Sequence, residues 1–334
     1  MADLNRIAIV GAGAWGTALA TVARRAGREV TIWARSPEIA AEINNRHSNK
    51  TYLQGVTLDA GIRATGDLAS LRDADAVLWV TPAQHLRDVA ARAEAHLRDG
   101  VPVVLCSKGF EQGSGKLMTE VAAETLPRAA IAVLSGPTFA AEVAKGLPTA
   151  VTLAAADSTL GRDLLQALGT PAFRPYLSAD PVGAEVGGSV KNVLAIACGI
   201  AMGRKLGDNA RAALLTRGLA EIMRLGLALG AQPATLMGLS GLGDLTLTCN
   251  GRQSRNLSLG IALGEGQKLS GYLAGRRTVA EGLFSAGAVV ARASDLKIEM
   301  PIAEAVDAIV NRNADIAQTI TALLNRPFKE ETKR

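Results

Sequence analysis

Lys191 stands in a run of small and apolar residues, Gly187-Gly-Ser-Val-Lys-Asn-Val-Leu-Ala195, and no other Lys or Arg occurs between Arg174 and Arg204. Burial disfavours an ammonium's charged form, so a lysine in such surroundings can give and take a proton near neutrality. Read without burial, the same residue is a surface lysine whose stem covers apolar neighbours. Two further segments have the composition of a site. Gly238-Leu-Ser-Gly-Leu-Gly-Asp-Leu245 reads as a glycine-rich loop ending in Asp244, a carboxylate that is either aimed at a ligand or part of a plain turn. Gly251-Arg-Gln-Ser-Arg-Asn-Leu257 opens a predicted helix with Ser254, Arg255 and Asn256 in its first turn. A guanidinium beside free N–H groups at a helix start makes a phosphate site; the simpler alternative is N-capping by Ser254 or Asn256. A second lysine, Lys108, follows an apolar run ending at Cys106; it is either a solvated loop residue or a cation projecting into a cleft.

These groups need a frame, and the first half of the chain supplies its signature. Ile7–Val10 reads as a strand covered on both faces, followed directly by Gly11, Gly13 and Gly16 and then by a predicted helix from Thr17 to Ala26. In a dinucleotide-binding turn the first glycine makes the bend, the second admits the pyrophosphate, and the third lets helix and strand pack closely. The diphosphate then sits on the free N–H groups of the helix start. Arg35 stands at the end of the next strand, 29–34, roughly 20 residues beyond the glycines, where an acid for a ribose 2′-hydroxyl is usual. An arginine there pairs with a 2′-phosphate or is a plain surface residue, so NADP(H), NAD(H) or both remain open.

Further strands are predicted at 62–64, 76–80, 102–106 and 130–134, with helices at 37–45, 84–97 and 117–126 among them. Strands alternating with helices predict a doubly wound parallel sheet. Segments 149–154 and 173–177 extend it as edge strands around a helix at 158–168. Ligands in such sheets lie outside the carboxyl ends of strands, where Val80-Thr-Pro82, Ser107-Lys-Gly109 and Ser135-Gly-Pro-Thr-Phe139 fall. After the turn-rich Ser178-Ala-Asp-Pro181 the spacing becomes helical, with Val186, Val190, Leu194 and Cys198 forming one stripe. The expected division is a dinucleotide-binding α/β domain over 1–179, an all-helical domain over 180–328, and a charged tail over 329–334.

A chain of 334 residues with 48% hydrophobic content is long enough for two packed domains. Its net charge of +5, with few aromatics and no dense basic run, argues against nucleic acid and favours small anions. Cys106, Cys198 and Cys249 lie far apart in the chain, with neither a paired framework nor a CxxC metal site, which points to core residues in a reducing compartment. The N-terminal residues lack a signal peptide's cationic start. The apolar segment 214–229 contains Arg217, Glu221 and Arg224, so it does not read as membrane-embedded.

Taken together, these segments resemble the bacterial-type NAD(P)-dependent glycerol-3-phosphate dehydrogenases across nearly the whole chain. The motifs that carry the resemblance are GAGAWGTALA at 11–20, SKGFE at 107–111, SGPTFAAEV at 135–143, SVKNVLAIACGI at 189–200, GLGDLTLTC at 241–249, SRN at 254–256 and AEG at 280–282. The resemblance implies a Rossmann-like domain followed by an all-α domain similar to the C-terminal domain of 6-phosphogluconate dehydrogenase. It implies a cytoplasmic homodimer that interconverts dihydroxyacetone phosphate and glycerol 3-phosphate, needs no metal, and supplies glycerophospholipid synthesis. Lys191 would be the proton donor and acceptor, and Lys108 would touch both cofactor and substrate. Gly136, Thr138, Asp244, Ser254, Arg255 and Asn256 would bind the substrate. Gly11, Gly13, Trp15, Gly16, Arg35, Tyr52, Ala140, Arg255, Val279 and Glu281 would line the NAD(P)(H) cofactor. Many relatives have serine where this chain has Ala14 and Thr138; threonine keeps the hydroxyl, whereas alanine loses one phosphate hydrogen bond. Two other readings have distinct requirements. A sister dehydrogenase acting on a 3-hydroxy acid or sugar acid would need a carboxylate clamp in place of Ser254-Arg255-Asn256. In an NADP(H)-binding redox sensor without turnover, Lys108, Lys191 and Asp244 would be incidental.

Overall fold

The computed structural model describes residues 4–274, 280–328 and 330. Strands β1 (Arg6–Val10), β2 (Glu29–Trp33), β3 (Ile62–Thr65), β4 (Ala76–Trp79), β5 (Pro102–Leu105), β6 (Ala130–Ser135), β7 (Thr149–Ala154) and β8 (Phe173–Ser178) form one sheet. Their order is β3-β2-β1-β4-β5-β6-β7-β8, the 3-2-1-4-5-6 arrangement of dinucleotide folds with two strands added. Successive side chains leave a strand on opposite faces, and here both faces are covered. Ile7 and Ile9 join one cluster with Leu19, Ile32 and Ile43, while Ala8 and Val10 join another with Trp79, Leu86 and Val121. The covering helices are α1 (Ala14–Arg25), α2 (Pro37–Arg46), α3 (Leu86–Ala93), α4 (Met118–Thr125), α5 (Ala140–Ala144) and α6 (Ser158–Leu168).

Three details depart from the expected pattern. Helix α1 starts three residues before Thr17, at Ala14 directly after its N-cap Gly13. The helix expected over 84–97 is α3 with a 3₁₀ turn at each end, Ala83–His85 and Glu94–His96. The sheet is not parallel throughout: β7 runs antiparallel to β6, and β8 then runs parallel to β7. Between β6 and β7 only the five-residue α5 is available. It spans about 7.5 Å against about 20 Å for a six-residue strand, too little to carry the chain back to the sheet's other end.

From α7 onward the structure is helical: α7 (Pro181–Gly203), α8 (Gly207–Ala228), α9 (Pro233–Leu236), α10 (Asp244–Asn250), α11 (Arg255–Gly264), α12 (Leu269–Leu273), α13 (Glu281–Asp295), α14 (Pro301–Arg312) and α15 (Ile316–Leu324). Helix α7 is the axis of this region. Pro181 opens it, and Asp180 caps it by accepting from the Gly183 N–H at 2.8 Å. Val186, Val190, Leu194 and Cys198 are all buried, as their spacing predicts. The helix is long and apolar enough to cross a membrane, with mean hydropathy 1.4, but 83% of that window is buried against the protein's own elements. Where α7 crosses α11 the backbones touch: a Cβ on Gly199 would lie 2.8 Å from the Gly260 Cα. One piece of the sheet region enters the helical core. The segment between β5 and α4 carries Phe110 and Leu117, which bridge to each other and pack with Val186, Val190 and Leu194.

Candidate active site

The turn after β1 has the geometry of a phosphate cradle. Gly11 takes φ +122°, and its N–H donates to the Trp33 carbonyl at 3.1 Å. A side chain at Gly16 would overlap the Gly11 carbonyl oxygen at 1.9 Å, whereas Gly13 faces open space. No side chain caps the start of α1, and its first turn holds no acidic residue. Its leading N–H groups therefore remain available to an anion. The neighbouring Trp15 Nε1 is a buried donor with no partner. These features fit a dinucleotide diphosphate. Asn49, in the loop after α2, fastens the cradle: its Nδ2 donates to the Ala12 carbonyl and to Thr17 Oγ1, both at 2.8 Å. Nothing in the sequence marks Asn49, which in a polar loop looks like any other solvated amide. Arg35 and Tyr52 are exposed, and Ala140 opens the short α5. Val279 lies outside the described residues.

Across the carboxyl ends of β5 and β6 three charged side chains converge. Lys108 Nζ donates to Asp244 Oδ2 at 2.7 Å and to the Gly136 carbonyl at 3.1 Å. Lys191 Nζ donates to the other oxygen, Asp244 Oδ1. Asp244 is fully buried, and Thr248 Oγ1 lies 3.4 Å from its Oδ1. Thr138 Oγ1 donates to the same Gly136 carbonyl at 3.2 Å. Two ammoniums sharing one carboxylate leave one net positive charge, which suits an anionic ligand or an oxygen gaining negative charge. Burial pushes Lys191 down to about 8; Asp244 opposes that change and Lys108 adds to it.

The segment 238–244 is not a loop, as its glycines suggested. It forms a wide π-helical turn, Leu239–Gly243, that runs straight into α10 with Asp244 as the first residue. Gly241 permits this, since a Cβ there would lie 1.8 Å from the Leu236 carbonyl oxygen. At the start of α11, Ser254 is the N-cap and its Oγ accepts from the Leu257 N–H at 3.2 Å. Asn256 is buried between helices: its Nδ2 donates to Asn192 Oδ1 at 2.9 Å, and its Oδ1 accepts from the Gly282 N–H at 2.9 Å. The residue after Lys191 is thereby tied to both α11 and α13. Arg255 is exposed at the same helix start. Glu281 is half-buried; burial raises its carboxyl, and Arg255, Lys108 and Lys191 pull it back in that order. All three cysteines are buried and free, as core residues should be, and Cys198 of α7 lies beside Cys249 of α10.

Residues 6–161 match the family model for the N-terminus of NAD-dependent glycerol-3-phosphate dehydrogenase, and residues 180–321 match the model for its C-terminus. A protein of Parvibaculum lavamentivorans named glycerol-3-phosphate dehydrogenase (NAD(P)+) is 60% identical over 328 residues, covering 98% of each chain. A Rhodospirillum rubrum protein of the same name is 59% identical, covering 98% of this chain and 94% of that one. The chain belongs to the NAD-dependent glycerol-3-phosphate dehydrogenase family. The crystal structure of glycerol-3-phosphate dehydrogenase from Coxiella burnetii shares the fold with a TM-score of 0.92 at 41% identity, covering 96% of this chain and 99% of that one. The family's two regions thus correspond to the sheet with its cradle and to the helical region, and Lys108, Asp244 and Lys191 meet between them.

Proposed function

We propose that this chain interconverts dihydroxyacetone phosphate and sn-glycerol 3-phosphate in the cytoplasm, using NADP(H), NAD(H) or both. The observation that carries the reading is the pair of lysines held on the buried Asp244 carboxylate beside an uncapped dinucleotide turn. Gly11, Gly13 and Gly16 with Trp15, Tyr52, Ala140 and Glu281 would hold the cofactor, and Arg35 would pair with its adenosine ribose or 2′-phosphate. When bound, the nicotinamide supplies the hydride that reduces the substrate's carbonyl carbon. As charge grows on the carbonyl oxygen, Lys108 stabilises it and the Lys191 ammonium gives it a proton; solvent then recharges the amine. In the oxidising direction neutral Lys191 takes the proton from the hydroxyl. Asp244 orients both lysines. Gly136 and Thr138 border the substrate, and Arg255 with the start of α11, Ser254 and Asn256, holds its phosphate away from the reacting carbon.

The domain division accompanies this reading: 1–179 for the cofactor, 180–328 for the substrate, and a tail over 329–334. A homodimer does too, supported by the exposed Leu324 and Phe328. The product would serve as a precursor of glycerophospholipids. The test is the loss of NADPH absorbance, and then of NADH absorbance, when dihydroxyacetone phosphate is added to the purified protein. Rapid oxidation supports the reaction. Oxidation only with a 3-keto acid or a keto sugar acid would move the chain to the sister dehydrogenases. Cofactor binding with no oxidation at all would support the sensor reading.

A further inference from the structure

Helix α7 carries a second buried charge earlier along its length than Lys191. Glu185 is 4% exposed, and both its oxygens are engaged by one residue of α4: Oε1 accepts from the Thr119 N–H at 3.0 Å and Oε2 from Thr119 Oγ1 at 2.5 Å. Thr119 lies in the first turn of α4, where free N–H groups favour a carboxylate. The same turn is gripped from α13, where Arg292 donates to Glu120 Oε1 at 3.1 Å. Glu120 in turn accepts from the Leu117 N–H at 2.7 Å. Upstream of this turn runs the strap that begins at Lys108 and plants Phe110 and Leu117 in the helical core. Burial pushes the Glu185 carboxyl up to about 7. Its folded value lies above the unfolded one, so it favours folding at low pH and that advantage is lost as pH rises toward 7. Above that pH the charged residue gives no advantage to the fold on its own account.

We propose that Glu185 is a positioning residue: by holding the first turn of α4 it fixes the strap from Lys108 to Leu117, and so keeps Lys108 on Asp244 opposite Lys191. The contact ties the catalytic lysine of the sheet region to the helix that bears the other lysine. The turnover part of its test rests on the dehydrogenase reading; the exchange part does not.

The experiment compares the full-length protein with Glu185→Met, Thr119→Val, Thr119→Ser and the Glu185→Met/Thr119→Val double variant at pH 8. It measures kcat and KM for dihydroxyacetone phosphate, NADPH affinity by fluorescence, and amide hydrogen exchange over 107–117. Glu185→Met and Thr119→Val are each expected to lower kcat about 10-fold with NADPH affinity held within about twofold, because a slightly misplaced catalytic group costs turnover first. Thr119→Ser keeps the donor and should match the wild type. The double variant should be no worse than either single one, since both break the same contact. Exchange over 107–117 should quicken in each impaired variant. Unchanged kcat in Glu185→Met and Thr119→Val, or fully multiplicative losses in the double variant, would overturn the proposal. If Glu185→Met fails to fold, Thr119→Val against Thr119→Ser decides the matter alone. If the wild type does not turn over dihydroxyacetone phosphate, the dehydrogenase reading fails, and exchange decides: faster exchange sustains the latch and unchanged exchange overturns it.

Discussion

Lys191 and Lys108, from the axial helix of the helical region and a strap of the sheet region, end on opposite oxygens of the Asp244 carboxylate. Neither lysine could be buried alone at low cost, and a single buried carboxylate makes their approach tolerable. The consequence is functional asymmetry. Lys191 is the more deeply buried of the two, with 7% side-chain exposure against 13% for Lys108. On the proposed assignment, the residue that exchanges the proton is therefore the better shielded of the two.

Replacing Lys191 with alanine should lower turnover by about 10²–10⁴-fold, the range for losing a general acid, with NADPH affinity nearly kept. Steady-state kinetics and a fluorescence titration read the two quantities separately. Turnover equal to the wild type would remove Lys191 from the mechanism.

The pH dependence follows from the same residue. Lys191 sits at about 8, and reduction of the carbonyl needs its charged form. The reductive kcat/KM should be level below about 8 and fall about tenfold per pH unit above it; oxidation of glycerol 3-phosphate should show the opposite slope. A reductive profile that stays level well above 8 would sink this assignment.

The contrast between Lys191 and Glu185 shows what a sequence discloses here. Lys191 is legible because a lone cation among glycine, alanine and valine signals burial. Glu185 carries the same signal in the same helix, but nothing in the sequence names its partner on α4. The glycine turn is legible because every feature of it is local. The meeting of residues 108, 191 and 244 is tertiary, and only the family resemblance put these positions on one list. Asn49 and the antiparallel β7 escaped for related reasons: one depends on a neighbour across a loop, the other on how far a five-residue helix reaches. The glycines of 238–243 misled because the segment is a π-helical turn, in which close packing rather than a loop requires Gly241.

Asp244→Asn should damage both stability and chemistry. It leaves two buried ammoniums facing each other without a counter-charge, at a cost of about 3 kcal/mol or more. It also removes the influence that holds Lys191 up, so any residual reductive activity should decline at a lower pH than in the wild type. Urea unfolding and the pH profile check the two halves. An unchanged midpoint together with an unchanged alkaline limb would contradict the shared-carboxylate geometry.

Arg35 tests cofactor choice. It is exposed after β2, beside the cradle, where a 2′-phosphate would lie. Arg35→Asp should lower kcat/KM for NADPH relative to NADH by about 1–2 orders of magnitude, as expected for losing a charge-assisted pair and gaining a repulsion. An unchanged ratio would mean that Arg35 does not contact the phosphate.

Glu221 makes a prediction about stability alone. On α8 it is 1% exposed and caps α14, accepting from the Ile302 N–H at 2.7 Å and the Ala303 N–H at 3.1 Å. Burial pushes its carboxyl up to about 7, against the pull of those two N–H groups. The folded value lies above the unfolded one, so the folded state holds the proton over a range where the unfolded chain has lost it. This contribution to stability is full at low pH and is lost as pH rises toward 7. With the folded value near 7 and the unfolded one near 4.5, the loss is about 3 kcal/mol. Glutamine keeps one acceptor for the cap but cannot ionise. Glu221→Gln should therefore gain stability relative to the wild type, by about that amount, between pH 5 and pH 8. Urea unfolding at the two pH values measures the difference directly. A constant offset between variant and wild type would show that Glu221 stays charged across the whole range, and that the two N–H groups of α14 outweigh its burial.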